Sequence, residues 1–175
     1  WSLGHPAALE QDDVMAVTRR RLERTGAPWL SIDAGFSAAT VAYDGAMRPT
    51  SPRLDRDELL SAMVANVRAL AAGVSVPLLL ENLDLQTTGA YDHVCEPDFL
   101  RELIEATGVA WLLDLAHAQV SASRMGLTVD DDLAGLPLDR VRQLHVSGPR
   151  WRDGALDDDH EPLRDLDLEL LRNVL

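Results

Sequence analysis

Short apolar runs alternate with amphipathic stretches along this chain. Four runs have strand length: Pro28-Trp-Leu-Ser-Ile-Asp33, Val76-Pro-Leu-Leu-Leu-Glu81, Val109-Ala-Trp-Leu-Leu-Asp114 and Val141-Arg-Gln-Leu-His-Val146. At least two are continuous enough to be buried on both faces, as parallel strands are. Helical patterns fill the intervals at about 8–25, 55–72 and 97–107. The second carries Leu59, Leu60, Met63, Val64, Val67 and Leu70 on one stripe. Pro97 suits a first helical turn, and Gly26, Gly73 and Gly108 stand where C-cap glycines belong. Residues 36–54 read as a loop. The β-α-β-α alternation predicts an α/β fold with a parallel sheet.

The spacing of the runs sharpens this prediction. Glu81 and Asp114 are 33 residues apart, and Asp114 and His145 are 31 apart. One strand, one helix and two short loops occupy about that length. No repeat, low-complexity segment or linker divides the chain, so residues 1–175 are expected to form one domain. A complete (β/α)₈ barrel needs about 250 residues. The expectation is therefore a partial or shortened TIM-barrel-like fold of about five β/α units, counting Trp1–Gly4 as the tail of a strand. Its open sheet edges invite a partner chain or a homo-oligomer.

Composition narrows the partners. The chain has 29 acidic and 16 basic residues, a formal net charge of −13. That balance argues against a nucleic-acid backbone as the main partner. No apolar run approaches the roughly 20 residues needed to span a bilayer, and none opens the chain as a signal peptide would. The single cysteine, Cys95, allows no internal disulfide, which points to the cytoplasm. All sixteen basic residues are arginine, a bias that GC-rich bacterial genes produce.

The chemistry lies at the ends of the runs. Each of the four ends in or near an ionisable or metal-binding side chain: Asp33, Glu81, Asp114 and His145. In a parallel barrel the C-terminal strand ends share one mouth. Three carboxylates and an imidazole there repel unless a cation joins them. Mixed O and N donors suit Fe, Mn or Zn. Asp114-Leu-Ala-His117 adds a histidine that can turn back into the mouth, and Asp158-Asp159-His160 adds a carboxylate and an imidazole. Asp33 and Asn82 are further candidates. Each residue also has a plainer reading. A strand-end aspartate often caps a helix, and His145 inside an apolar run fits a satisfied core histidine. His5 and His93 read as loop residues, Asp130–Asp132 as a solvated helix start, and Cys95 as a bystander in a polar loop.

Leu78-Leu-Leu-Glu-Asn82, Glu96-Pro-Asp-Phe-Leu-Arg-Glu-Leu103, Leu112-Leu-Asp-Leu-Ala-His117, Val120-Ser-Ala122, His145-Val-Ser-Gly148 and Asp158-Asp-His160 occur in an order that resembles the DUF692 proteins. These are the multinuclear non-heme iron-dependent oxidases (MNIO), xylose isomerase-like TIM barrels. Thr25-Gly-Ala-Pro-Trp-Leu-Ser31 extends the resemblance over nearly the whole chain. The resemblance implies two or three iron ions. It also implies O₂-dependent modification of residues, often cysteine, in ribosomally made precursor peptides, frequently with a partner protein that presents the peptide. By the same resemblance Glu81 matches the Leu-Glu-Asn ligand, and Asp114 the aspartate of Asp-Val-Asn-Asn. His117 stands at the final asparagine of that motif. His145 matches the first histidine of His-Leu-Ala-Gly-His, and Asp158 and His160 match Asp-Thr-His. Asp33 falls where the family has the histidine of Ser-Glu-His, and Pro149 where the second histidine of His-Leu-Ala-Gly-His would be. A further histidine and a late-strand glutamate of the family would fall before Trp1 and after Leu175.

The leading expectation is thus a bacterial, peptide-modifying, non-heme iron oxidoreductase of natural-product biosynthesis. Glu81, Asp114, His117, His145, Asp158 and His160 are its metal ligands. Two other readings compete. One is a xylose isomerase-like sugar isomerase or epimerase, or a metal-dependent phosphoesterase, using Mn, Mg or Zn. The other is a non-catalytic barrel that binds or scaffolds a peptide.

Overall fold

A computed structural model describes residues 2–5, 8–10 (the Glu10 side chain excepted) and 13–175. The four apolar runs become four parallel strands: β1 (Leu30–Asp33), β4 (Leu78–Glu81), β5 (Ala110–Asp114) and β6 (Val141–His145), hydrogen-bonded in that order. Helix α1 (Val14–Thr25) precedes the first. Helices α2 (Arg56–Gly73) and α3 (Pro97–Thr107) make the crossovers into β4 and β5. The mixed α/β layout with a parallel sheet is part of a TIM-barrel-like fold. The fifth unit expected at the start is not formed among the described residues. Residues 2–5 make a turn, and Trp1 lies outside them.

Alternation along the strands decides which side chains meet the helices. Leu30, Ile32, Leu78, Leu80, Trp111, Leu113 and Leu144 belong to the core shared with Leu59, Met63, Val67 and Leu70 of α2 and Phe99, Leu100, Leu103 and Ile104 of α3. Trp111 and Phe99 are completely buried. Each such side chain stabilises the fold by about 1.5–3 kcal/mol relative to exposure. The residues between them, Ser31, Asp33, Leu79, Glu81, Leu112, Asp114, Gln143 and His145, therefore face the other way. The alternation that anchors the sheet on α2 and α3 is what sends four polar strand ends to the opposite face.

Several local expectations change. The first helix does not run unbroken from residue 8. A 3₁₀ turn spans Ala8–Glu10, and Asp13, in the left-handed region at φ 57°, opens α1 at Val14. Gly26 and Gly108 are left-handed C-caps, but Gly73 is the last helical residue and caps nothing. A Cβ there would lie 2.1 Å from the Met15 Cε, and its carbonyl accepts from Arg19 Nε. Gly73 is small because α1 crosses it. The 36–54 loop contains an antiparallel hairpin, β2 (Val41–Tyr43) and β3 (Met47–Pro49).

Beyond β5 the chain builds more than the sequence reading drew. Helix α4 (Leu115–Met125) follows the strand with no loop, and α5 (Val129–Gly135) leads toward β6. A second antiparallel hairpin joins β7 (Gly148–Arg152) to β8 (Ala155–Glu161), and α6 (Asp165–Val174) ends the chain. The β7–β8 turn is Asp153-Gly154 with φ of 49° and 84°, the two-residue turn that matches strand twist. Asp132 is buried, unlike the exposed Asp130 and Asp131, because the first turn of α5 packs its third aspartate inward. Cys95 is also buried in the core, its thiol donating to the Leu83 carbonyl at 3.5 Å.

Candidate functional site

Glu81, Asp114 and His145 end three neighbouring strands, with Asp114 and His145 paired across β5 and β6. One ligand atom from each lies within 4.8 Å of the other two. His145 Nδ1 is 2.9 Å from Glu81 Oε1 and 3.9 Å from Asp114 Oδ2. The Gln143 amide contacts its Nε2 at 3.1 Å. His145 is half-exposed and engaged on both nitrogens, so it is not a core histidine. The Glu81 and Asp114 side chains are only 13% and 6% exposed. Among the described residues neither carboxylate has an arginine partner. Burial pushes the Glu81 carboxyl up, against the pull of His145.

Asp114 does two jobs with one carboxylate. Its Oδ1 accepts from the backbone N–H of Ala116 and His117 and so caps α4. Its Oδ2 is the oxygen that faces His145. The cap explains why a helix follows β5 without a connecting loop.

Asn82 is placed differently from the expectation that it could join the site. Its amide donates to the Asp114 carbonyl at 2.9 Å, and its oxygen accepts from the Asp114 N–H at 2.9 Å. Both ends of the side chain are committed to the backbone of the next strand. Asn82 clamps the position of Asp114 rather than offering a donor of its own.

His117, Asp158 and His160 form a second group. The first turn of α4 turns His117 back over Asn82, whose carbonyl accepts from Nδ1–H at 2.7 Å. That bond makes Nδ1 the donor to the backbone and leaves Nε2 as the nitrogen that faces Asp158 Oδ2, 3.5 Å away. Burial lowers the His117 pKa, but the Asp114 charge, the Asn82 carbonyl, Asp84 and Asp158 outweigh it and hold the ring above its ordinary range. Asp158 comes from β8. Its Oδ1 accepts from Ser147 Oγ at 2.7 Å and from the His160 backbone N–H. Its Oδ2 is buried, accepts no hydrogen bond, and lies 3.3 Å from His160 Nδ1. Arg124 of α4 ties this hairpin down through the Leu85 and Leu156 carbonyls and Asp157.

Asp33 sits apart. It is the register partner of Glu81 on β1 but lies outside the group of donors within 4.8 Å. Desolvation raises its carboxyl, against the attraction of His117. It caps no helix. His93 and Glu96 pair at 2.9 Å in the turn before α3, away from these groups. The sequence reading had no part for Arg124 or Gln143. A lone arginine on a helix and a glutamine in an apolar run carry no motif.

The donor set suits a cation. Two carboxylates and an imidazole converge without an arginine, and beside them the His117 Nε2 faces a buried carboxylate oxygen that accepts no hydrogen bond. Fold and site together define a TIM-barrel-like protein with an acidic, histidine-bearing group at its strand ends. The family model described as "RiPP precursor modification enzyme MbnB/TglH/ChrH" matches residues 1–175, and the chain belongs to that family, the DUF692 or MNIO family of the sequence resemblance. A UPF0276 protein of Caulobacter vibrioides is 36% identical over 110 residues, covering 62% of this chain and 39% of the relative. One from Streptomyces avermitilis is 30% identical over 169 residues, covering 91% of this chain and 34% of the relative. The chain thus spans little more than a third of these curated relatives. No helix among the described residues is long and apolar enough to cross a membrane.

Proposed function

We propose that this chain carries part of the catalytic centre of a metal-dependent enzyme that oxidatively modifies a residue, such as cysteine, of a ribosomally made precursor peptide. The observation that carries the reading is the convergence of Glu81, Asp114 and His145 without an arginine to neutralise them. Family membership supplies the peptide. In this reading Glu81, Asp114 and His145 hold one metal ion, and His117, Asp158 and His160 help to hold a second. Iron is the expected metal, two or three ions in the whole protein, with Mn or Zn as alternatives. When bound, iron supplies an open coordination position and a redox couple for O₂ chemistry.

The chain's own residues do the rest. Glu81 and Asp114 place negative charge at buried strand ends, where it is screened least. Asn82 fixes the spacing of the two strands. The Asn82 carbonyl keeps Nδ1–H of His117 occupied, so that Nε2 is the nitrogen turned toward Asp158. Asp33, more exposed and at the rim, is free to exchange a proton with solvent. The enzyme is expected to work in the cytoplasm, with a partner protein or a second copy completing the sheet edges.

Metal analysis of the purified chain, with its aerobic absorption spectrum, tests the reading. Wild type should bind iron and show iron–oxygen or iron–thiolate bands, and Glu81→Ala and His160→Ala should each lose bound metal. Equal metal content in all three proteins sinks the site. Bound Mn, Mg or Zn without such bands favours the isomerase or phosphoesterase reading, and no metal favours the scaffold.

A further inference from the structure

A groove of about 700 Å³ runs between the tip of the β2–β3 hairpin, the segment after β4 and the start of β8. Asp84, Asp157, Asp158 and Asp159 line it against a single arginine, Arg124. Two of the four aspartates are already neutralised: Asp157 pairs with Arg124, and Asp159 with Arg152. Among the described residues Asp84 forms no ion pair; its carboxylate has a long contact with the Gln86 amide at 3.4 Å and acts on His117 only through its charge. The groove opens onto the candidate centre through Asp158. That side chain is 4% exposed, and its Oδ2 accepts no hydrogen bond. The opposite wall is Tyr43, 72% exposed, beside Gly45 and Ala46. An exposed ring across the groove from an aspartate without an arginine suits a side chain with an apolar stem and a positive head.

We propose that this groove seats a lysine or arginine side chain of the peptide, close in sequence to the residue that is modified, with its charge against Asp84. The proposal rests on the peptide-modifying reading and adds to it the chemistry of the flanking residue. Anionic flanking residues are rejected by the same charges. Recognition by a half-buried carboxylate at the edge of an open groove acts through long-range attraction and weakens as salt is added.

The test is binding under argon, so that no oxidation intervenes. Two fluorescein-labelled peptides, Gly-Arg-Ser-Cys-Gly and Gly-Glu-Ser-Cys-Gly, are titrated with the chain at low salt and followed by anisotropy. The arginine peptide should bind about tenfold tighter, and the difference should shrink at 1 M salt. Asp84→Asn should remove most of the preference, and Asp84→Lys should reverse it. Tyr43→Ala should weaken both peptides. Metal content of the same samples should stay at the wild-type level in all three variants. Equal affinity for the two peptides, no binding of either, or an unchanged preference in Asp84→Lys overturns the proposal. Loss of metal from wild type, with the preference intact, overturns the enzymatic reading and leaves the groove standing.

Discussion

The two halves of the candidate centre are mounted in different ways. Glu81, Asp114 and His145 stand on the ends of parallel strands whose other faces are fixed by Trp111, Leu80 and Leu113 against α2 and α3. Asp158 and His160 stand on an antiparallel hairpin held mainly by Arg124 and by ion pairs along its own length. The Asp114 side chain is 6% exposed and that of His160 is 75% exposed. His160 also has φ 54°, in the left-handed region that a side chain enters at a cost of about 1–2 kcal/mol. The first group therefore inherits its geometry from the core. The second is a local device whose aim is set by a few polar contacts.

The strongest way to break this comparison is Trp111→Ala. A fully buried ring lost from β5 should cost about 3–5 kcal/mol. Urea denaturation should show that loss, and a smaller cost would mean that the strand ends are not supported by this core.

A pH series probes α5, the helix that packs against α4. Burial pushes Asp132 on α5 up to about 7 from its ordinary value of 3.8. The folded state then holds a proton that the unfolded state has released, so stability falls as pH rises from about 4 to about 7 and levels off above. The loss should reach a few kcal/mol. Asp132→Asn should flatten the profile, melting higher than wild type at pH 7.5 and alike at pH 4. Equal melting temperatures of wild type and Asp132→Asn at pH 7.5 would place a partner on the Asp132 carboxyl.

Asn82→Ala should cost about 1–3 kcal/mol, because the buried N–H and C=O of Asp114 lose their partners. Chemical denaturation checks it, and Asn82→Asp should not rescue, since it cannot donate to the Asp114 carbonyl. The smallest effect is expected for His160→Gly. It removes a strained, exposed side chain, so stability should change by less than about 1 kcal/mol while bound metal falls. A large drop in melting temperature would make the hairpin part of the core and erase the contrast.

What could be read in the sequence follows the same division. The four parallel strands announced themselves as apolar runs ending in ionisable residues, and the side-chain alternation that aims those ends is a property of any strand. Pro97 marked the start of α3 because its missing N–H is harmless there. Helix α4 was hidden because Asp114 serves at once as strand end and N-cap, leaving no loop between them. The β7–β8 hairpin carries an Asp-Gly turn signal, but Asp157-Asp158-Asp159-His160-Glu161 has poor strand propensity. Cross-strand arginines, Arg152 with Asp159 above all, hold it in place, and such pairing appears only once the two strands face each other. The clamp of Asn82 on Asp114 was illegible for the same reason, since it acts on the backbone of a strand 32 residues away.

The shared carboxylate of Asp114 has one further consequence. Charge drawn toward its Oδ2 is withdrawn from its Oδ1, so events at the strand ends are transmitted to the amide protons of Ala116 and His117. Those two amides are thus placed as a reporter in the backbone: if a cation binds at the strand ends, their rate of hydrogen exchange with deuterated solvent should change, with no chromophore, label or turnover needed.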